Sequence, residues 1–444
     1  MFKRKLYDEL KKWKQECNGS RAILVEGARR VGKSTLVKEF AKNEYQSFVL
    51  IDFSVANNEL LSVIDDINDV DLFFARLQAV TGITLYERKS AIVFDEVQLC
   101  PKARQAIKHL VADGRYDYIE TGSLISIKKN VEKILIPSEE RKIELFPMDF
   151  EEFCDATGLN YSNLKLLYDW QKPIGDNVNR KLIRDFRMYM AVGGMPQIVD
   201  AFLKNKNFAE LDRLKQDIIN LYKDDLRKID ASGRMSAMYE SIPAQLVAKR
   251  NRFSFGYGLG KKSRRDEERL FDLIDSKIVN CCYALNDIAP SFNQFTDFSR
   301  FKLYVADTGL FVTMLFNDGS PEHEDIYKKL LSDKLDLNLG YLYENIVAQM
   351  IVSSKRKLNY FSYRKGESVH LREIDFLLGG NGKVIPLEVK SSKVNEHRSL
   401  DCFLSDYSRY VSCGYLISAK DFRKAGSLIN LPFYLFPLFL ASLH

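Results

Sequence analysis

The sequence is poor in the residues that most often bind transition metals or form disulfides. It has five histidines and seven cysteines among 444 residues. The histidines are scattered, so we interpret none of them as a metal ligand or catalytic base. The cysteines show no metal-type spacing, since Cys281 and Cys282 are merely adjacent. An odd number of cysteines without a regular spacing indicates reduced thiols and a cytoplasmic location.

Long hydrophobic runs and a signal peptide are also missing. The longest apolar stretch, LPFYLFPLFLASL near the C-terminus, is too short to cross a bilayer and is interrupted by Pro432 and Pro437. The N-terminus, MFKRKLYDELKKWKQEC, has the pattern of a charged amphipathic helix. The net charge of +6 permits nucleic-acid binding without requiring it. We expect a soluble protein of about two to four domains, with no membrane segment.

A glycine-rich stretch, LVEGARRVGKSTLVKEF, lies between a hydrophobic run and a helical pattern. Its Gly27-x4-Gly32-Lys33-Ser34 spacing lets successive backbone N–H groups point at phosphate oxygens at the start of a helix. Lys33 would reach the β- and γ-phosphates, and Ser34 would ligate Mg²⁺. An ordinary glycine turn before a helix is the alternative. The predicted nucleotide-binding residues are Gly27, Arg30, Gly32, Lys33, Ser34, Thr35, Asp95 and Ser123.

A second acidic motif supplies the carboxylates that a nucleotide site needs. The β-rich run in SAIVFDEVQ ends in Asp95 and Glu96, at the edge of an α/β sheet where ligands bind. Asp95 would hold Mg²⁺, and Glu96 would polarise the attacking water as the catalytic base. The strand in YDYIETGS ends in Thr121-Gly122-Ser123, where a hydroxyl could sense the γ-phosphate or belong to a polar turn. Solvated acids at a strand end are the alternative for Asp95 and Glu96.

These motifs, together with later segments, resemble bacterial and archaeal AAA-type ATPases that carry a C-terminal domain of unknown function. The later segments are LFPMDFEEF, YMAVGGMPQIV, SIPAQL, FKLYVADTGL, GYLYENIVAQ, EIDFLL and PLEVKSS. The resemblance implies a multidomain α/β chain with a parallel-sheet P-loop core, a helical and winged-helix-like middle, and a C-terminal α/β domain similar to PD-(D/E)xK nucleases. The implied domains are 1–157 (AAA-like ATPase), 158–230 (helical), 231–329 (winged-helix-like) and 330–444 (nuclease-like).

The C-terminal segment HLREIDFLLGGNGKVIPLEVKSS reads as a hairpin around Asn381-Gly382. That turn would place Asp375 opposite Glu388, and Glu373 opposite Lys390, on one sheet face. Two opposed carboxylates are explicable if a divalent cation lies between them.

The predicted nuclease-type site takes its metal ligands from three carboxylates, and its catalytic residues would be Glu388 and Lys390. The ligands are Glu344, on a helix with an apolar stripe at 339, 343, 346, 347 and 350, together with Asp375 and Glu388. Two alternatives stay open: a surface hairpin with cross-strand salt bridges, and a nuclease-like fold with little activity.

A basic segment in the middle of the chain suits nucleic acid. In AKRNRFSFGYGLGKKSRRDEERL, basic residues interleave with Phe253, Phe255 and Tyr257. The basic residues are Lys249, Arg250, Arg252, Lys261, Lys262, Arg264 and Arg265. Such a pattern fits a phosphate backbone and exposed bases, or simply a solvated loop. We therefore predict ATP and Mg²⁺ as cofactors and a nucleic-acid partner, DNA in preference to RNA, with a homo-oligomer permitted.

Two alternatives to an ATP-driven enzyme acting on nucleic acid stay open. One is a nucleotide-dependent switch or scaffold whose C-terminal domain binds DNA or a partner without cleaving it. The other is a plain ATPase that acts on proteins.

Replacing Lys33 with alanine should abolish nucleotide binding or turnover. The lysine charge offsets phosphate charge that a backbone cradle cannot neutralise alone. ATP affinity and phosphate release measured on folded Lys33→Ala protein check this expectation. Wild-type values in that variant would refute the phosphate-loop assignment.

Overall fold

The computed structural model describes residues 1–122, 138–205, 207–256, 259–289, 292–316, 323–332, 339–364, 371–380, 382–391 and 397–443. The chain divides into two compact units. Unit 1 comprises Met1–Phe146 with Asp275–Lys277, and unit 2 comprises Pro147–Ile274 and Ile278–His444.

Unit 1 is built on a five-stranded parallel sheet with the strand order β2-β3-β4-β1-β5. The three central strands, β1, β3 and β4, are buried along their whole length, as expected for a parallel sheet covered on both faces. The strands are β1 (Ala22–Glu26), β2 (Ser47–Asp52), β3 (Ser90–Asp95), β4 (Asp117–Gly122) and β5 (Glu140–Glu144).

Five helices connect or flank these strands within the described part of unit 1. They are α1 (Lys5–Cys17), α2 (Lys33–Glu44), α3 (Asn58–Ile64), α4 (Val70–Thr81) and α5 (Pro101–Asp113). Side chains of Asn57 and Asp69 cap the first turns of α3 and α4, and Pro101 occupies the first turn of α5, where its missing N–H costs nothing. The alternation of strands and helices confirms the predicted P-loop core.

The first part of unit 2 is helical, as predicted. Its helices are α6 (Phe150–Thr157), α7 (Tyr161–Trp170), α8 (Asp176–Val192), α9 (Pro196–Asn205), α10 (Phe208–Ile229), α11 (Arg234–Val247) and α12 (Asp266–Asp275). Further along the chain come α13 (Thr308–Phe316), α14 (His323–Ser332), α15 (Gly340–Ser353), α16 (Arg398–Asp406) and α17 (Phe436–Ser442). Long helices such as α10 bury one face around Ile218 and Tyr222, which is typical of packed amphipathic helices.

Two mixed sheets complete the α/β region of unit 2, in the orders β7-β6-β8-β9 and β10-β11-β12-β14-β13. The strands of the first are β6 (Val279–Leu285), β7 (Thr296–Val305), β8 (Leu358–Tyr363) and β9 (Arg372–Ile374). Those of the second are β10 (Phe376–Gly380), β11 (Lys383–Lys390), β12 (Gly414–Ser418), β13 (Arg423–Ala425) and β14 (Leu428–Pro432). The predicted fold class is thus confirmed at the level of a helical middle followed by an α/β region.

The predicted hairpin forms with the expected register, but only as far as Phe376. Phe376 pairs with Leu387, and Gly380 pairs with Lys383. The chain then bends at Asp375, and β9 leaves this sheet to pair with β8, so that Glu373 lies opposite Ser362. The prediction that Glu373 faces Lys390 is therefore wrong, because the strand changes sheets between Ile374 and Phe376.

A buried carboxylate, that of Asp307, connects the segment VADTGL to the glycine pair of VGGMP in space. Asp307 is fully buried and accepts hydrogen bonds from the N–H groups of Gly194 (2.6 Å) and Leu310 (3.0 Å). A Cβ on Gly194 would lie 2.7 Å from the nitrogen of Met148, whose own N–H donates to the Gly194 carbonyl at 2.7 Å. Three separate motifs therefore meet at one backbone crossing that admits only glycine.

Helix α15 joins the same network through two buried amides. Asn345 accepts from Val305 N–H, and Gln349 accepts from the N–H and hydroxyl of Thr308, all at 2.8 Å. Nearly every residue of α15 is buried, including these polar ones. All five positions of the predicted apolar stripe are buried, as predicted, but most other residues of the helix are buried as well. Hydrogen bonds satisfy its buried amides, Asn345 and Gln349.

Within the part of the chain that the structure describes, we find no helix with the length and apolar character needed to cross a membrane.

Substituting Gly194 with alanine should destabilise unit 2 by about 2–3 kcal/mol, because the added methyl group forces Met148 and the Asp307 contact apart. Urea unfolding followed by fluorescence measures the change in midpoint. Gly256→Ala is the matched control, since its nearest neighbour would be 3.7 Å away. Equal midpoints for the two variants would show that the crossing tolerates a side chain.

Candidate nucleotide site and acidic site

The phosphate loop follows β1 and holds its lysine in a buried position. Lys33 is 5% exposed, and its Nζ donates to the carbonyl oxygens of Gly27 and Ala28, each at 3.0 Å. Gly27 has φ of 151°, and a Cβ there would collide with the carbonyl oxygen of Leu145. The lysine ammonium thus lies within the curl of the loop, where phosphate oxygens would meet it.

Burial lowers the pKa of Lys33, and the negative charges of Glu96 and Asp95 oppose that change. An ammonium group held away from water is costly unless an anion compensates it. The two nearby carboxylates supply part of that compensation, and nucleotide phosphates would supply more.

Asp95, at the carboxyl end of β3, connects the phosphate loop to the neighbouring strand. Its Oδ1 accepts a hydrogen bond from the hydroxyl of Ser34 at 2.8 Å and another from the hydroxyl of Thr121 at the end of β4. Asp95 is 4% exposed. The structure therefore brings Lys33 and Ser34 close to Asp95, which lies about sixty positions further along the chain, as predicted. The Thr121 hydroxyl is hydrogen-bonded to Asp95.

Glu96 lies beyond the strand in a left-handed backbone conformation with φ of 53°. Its N–H donates to the Thr121 hydroxyl at 3.3 Å, and the side-chain amide of Gln98 donates to its carboxylate. A non-glycine residue with positive φ persists where its surroundings fix it, and such residues are frequent at functional sites. Sequence reasoning missed Gln98, which contacts the carboxylate of the predicted catalytic base.

The remaining predicted nucleotide ligands are more exposed. Arg30, with φ of 71°, and Thr35 both lie at the surface of the loop and helix start, while Gly32 precedes α2 as its N-cap. Ser123 lies outside the described residues.

Arg4 is a supporting residue of the nucleotide site that sequence reasoning missed. It is 5% exposed, and its guanidinium donates to the carbonyl oxygens of Val31 (2.9 Å) and Phe146 (2.6 Å). Val31 belongs to the phosphate loop, so Arg4 holds the loop backbone from outside. A lone arginine before a helix has no spacing that would reveal this role.

The predicted acidic site lies in unit 2 where β10 and β11 meet. Asp375 Oδ2 accepts from the N–H of Val389 at 2.8 Å, and Glu388 Oε1 is 2.6 Å from Lys390 Nζ. Glu344, on α15, accepts a long hydrogen bond of 3.4 Å from the hydroxyl of Tyr304. Asp375 therefore lies beside the β11 residues Glu388 and Lys390, although it is not a paired residue of the ladder.

Electrostatics show that the three carboxylates are neighbours. The pKa of Glu344 is raised to about 8, mainly by burial and additionally by the charge of Asp375, while the charge of Lys302 opposes the rise. Burial also raises the pKa of Glu388, and the charge of Asp375 adds to that increase. Like charges that raise each other's pKa are typical of sites that receive a cation or share a proton.

The carboxylates nevertheless do not form a ready metal cluster. Within the residues that the structure describes, no group of three or more His, Cys, Asp or Glu side chains is arranged to hold a metal ion. Glu388 Oε2 is buried without a hydrogen-bond partner among those residues. The structure thus supplies a pair of neighbouring carboxylates with one unsatisfied oxygen.

Lys302, on β7, is a second lysine of the acidic site that the sequence did not reveal. Its side chain is 7% exposed, and its Nζ lies 2.5 Å from Glu373 Oε1 and 5.0 Å from the centre of the Tyr360 ring. Alternation along FKLYV places Lys302 and Tyr304 on one face of β7. A lysine within a hydrophobic strand is the one sequence feature that could have indicated this role. Its partner, Glu373, could not be predicted, because it depends on the change of sheet at Asp375.

The basic segment has its aromatic side chains turned inward. Phe253 is 8% exposed and stacks on Phe301 at 5.8 Å, while Phe255 contacts both rings and carries Lys262 over its face. The interpretation of Phe253 as a platform for an exposed base is therefore wrong. Lys262 also pairs with Glu267 at 2.7 Å, and Tyr257 lies outside the described residues.

Residues 19–154, which cover most of unit 1 and the first residues of unit 2, match the family model described as an AAA domain. This part of the chain is therefore similar to AAA domains. Residues 183–320 and 339–434 match two models described only as domains of unknown function.

Individual relatives are distant. An uncharacterized protein of Methanocaldococcus jannaschii is 25% identical over 234 residues, which is 48% of this chain and 47% of that protein, so the chain spans about half the length of this curated relative. Among solved structures, the Walker-type ATPase of Pyrococcus abyssi is 15% identical, with a TM-score of 0.43 and coverage of 71% of this chain and 96% of that one. Cdc6p from Pyrobaculum aerophilum is 12% identical, with a TM-score of 0.24 and coverage of 74% and 94%.

Two substitutions should separate the roles of the neighbouring carboxylates. Asp95→Ala removes the acceptor for Ser34 and Thr121 and should weaken Mg²⁺-dependent ATP binding, whereas Glu96→Gln should keep ATP affinity and slow hydrolysis by roughly 10²–10⁴-fold. Fluorescent-nucleotide titration and phosphate release measure the two effects. If the variants behave alike in both assays, this division of labour is wrong.

Proposed function

We propose that the AAA domain binds and hydrolyses ATP with Mg²⁺. The observation that carries the proposal is the 2.8 Å contact between Ser34 and Asp95, with buried Lys33 in the same loop. A hydroxyl, a carboxylate and an ammonium in this arrangement match the parts that P-loop sites use for nucleotide phosphates.

The side chains present fit a magnesium ion. The hydroxyl of Ser34 and the carboxylate of Asp95 place two oxygen atoms side by side that could ligate Mg²⁺. In phosphate sites Mg²⁺ is commonly held by one or two protein oxygens together with the phosphates. When bound, the ion would neutralise part of the negative charge of the phosphates. Lys33 would bind the phosphate oxygens, and Asp95 would keep the Ser34 hydroxyl in place.

Glu96 is the proposed general base. Its carboxylate is half-buried and held by Gln98, and its backbone is tied to Thr121, so its position is fixed relative to Asp95. A carboxylate held in this way can accept a proton from water at the γ-phosphate. Arg4 would act indirectly, by keeping the loop around Lys33 in shape.

For unit 2 we propose a nuclease-type site that acts on nucleic acid, with Asp375 and Glu388 as carboxylates, Lys390 as the stabilising cation and Glu344 behind them. The unsatisfied Oε2 of Glu388 favours this function, because a buried acceptor without a partner is costly unless a ligand completes it. Because the described carboxylates form only a pair, a divalent ion there would need oxygens of the phosphodiester itself as further ligands. Such an ion would polarise the phosphodiester, and Lys390 would bind its charged oxygens.

The alternative is that unit 2 binds DNA or another partner without cleaving it, under control of the nucleotide. Lys302 favours this alternative, since it already neutralises Glu373 and opposes the rise in pKa of Glu344 that burial causes. DNA binding without metal-dependent cleavage would establish it.

Cleavage of a labelled oligonucleotide in Mn²⁺ or Mg²⁺ tests the nuclease proposal. Glu388→Ala and Lys390→Ala should lower the rate by roughly a hundredfold or more, while ATP turnover stays at the wild-type level. Lys383→Ala, at the far end of the same strand, is the matched control. Cleavage that persists in Glu388→Ala, or no cleavage by the wild type, would refute a nuclease site at these residues.

A further inference from the structure

The loop after α11 lines an open surface cavity of about 490 Å³. Its lining residues are Ala248, Lys249, Arg250, Asn251, Arg252 and Ser254. These six residues contribute three cations and no carboxylate, and all three cationic side chains are exposed. A concave site of this volume with one sign of charge concentrates small anions.

The wall of the cavity is held in place by buried contacts. Gln245, which is 4% exposed, accepts a hydrogen bond from the N–H of Ser254 at 2.7 Å and donates to Ser241 at 3.0 Å. The hydroxyl of Tyr360 donates to the carbonyl oxygen of Asn251 at 2.7 Å. The serine and glutamine of the SIPAQL motif thus hold the loop in place. This structural role explains the motif, which has no part in the proposed chemistry.

Lys249 stands in a left-handed conformation with φ of 48°. Side chains other than glycine adopt this region where surrounding contacts impose it, and such positions are common around ligands. Its N–H donates to the carbonyl of Leu246 at 3.0 Å, so the turn that presents Lys249 to the cavity is closed by the end of α11.

The cavity adjoins the acidic site through β7. The N–H of Phe253 donates to the carbonyl of Phe301 at 2.6 Å, and the next residue on that strand is Lys302, which contacts Glu373. The hydroxyl of Tyr304, on the same strand, donates to the carboxylate of Glu344 at 3.4 Å. The cavity wall and the acidic site therefore both contact strand β7.

We propose that the cavity formed by residues 248–254 binds a phosphate group of the nucleic-acid strand on which the acidic site acts. This inference rests on the proposed action of unit 2 on nucleic acid. A polyanion is repelled by those carboxylates of the acidic site that are ionised, so cations beside the site favour its approach. Arg252 offers a planar fork that matches phosphate oxygens, and Lys249 offers a compact charge.

Fluorescence anisotropy with a labelled single-stranded DNA oligonucleotide, in EDTA so that no cleavage occurs, tests the proposal on the whole chain. The Lys249→Gln/Arg252→Gln variant should bind roughly tenfold more weakly at low salt, and the slope of log affinity against log salt should fall by about 1.4. Arg423→Gln/Lys424→Gln removes the same charges from the exposed strand β13 and should leave affinity within about twofold of the wild type.

Competition with deoxycytidine monophosphate identifies the source of the phosphate. If the mononucleotide displaces the oligonucleotide from the wild type, the phosphate of a single nucleotide is sufficient for binding. If it does not, the cavity requires a strand. Both results support a phosphate site, provided that the Lys249→Gln/Arg252→Gln variant binds the oligonucleotide more weakly than the wild type. Equal affinity and salt slope in the two double variants would overturn the cavity proposal and leave the nuclease proposal standing.

A wild type that binds no oligonucleotide would instead refute the proposed action on nucleic acid. Calorimetric titration with deoxycytidine monophosphate would then decide the cavity alone. Binding that is lost in Lys249→Gln/Arg252→Gln supports the phosphate site, and no binding overturns it.

Discussion

The nucleotide site depends on the buried carboxylate of Asp95. It accepts hydrogen bonds from Ser34 on α2 and Thr121 on β4, and so joins three elements at one edge of the parallel sheet. Burying a carboxylate is costly unless such partners compensate it. Once they do, the hydroxyl, the carboxylate and the ammonium of Lys33 are fixed within one small volume. The proposed phosphate site is therefore held together by contacts within unit 1.

Unit 2 uses a similar device for a different purpose. Asp307 receives N–H groups from Gly194 and Leu310, and Asn345 and Gln349 extend the hydrogen bonding into α15. These contacts join three segments, those around Gly194, Asp307 and Asn345, in one buried polar network. Such a network specifies a packing arrangement when every member is satisfied. The proposed chemistry is left to a smaller set of side chains around Asp375 and Glu388.

Local patterns predicted the elements of unit 1 well, and they also predicted that Ser34 and Asp95 lie close together. The phosphate loop, the DE pair and the hairpin register are each determined over a few residues by glycine geometry, strand ends and a tight turn. Sequence could not predict where β9 leaves its sheet at Asp375, because that choice depends on pairing with β8 and on the distant Lys302. For the same reason Arg4, whose partners are Val31 and Phe146, carries no local signal.

The central claim is that this chain hydrolyses ATP at a site built around Lys33, Ser34 and Asp95. Its most direct test is the initial rate of phosphate release from ATP by the purified 444-residue protein, measured in Mg²⁺ and after addition of excess EDTA. The account predicts steady turnover in Mg²⁺ that stops in EDTA and returns when Mg²⁺ is restored. No turnover in Mg²⁺, or an equal rate in EDTA, would contradict it.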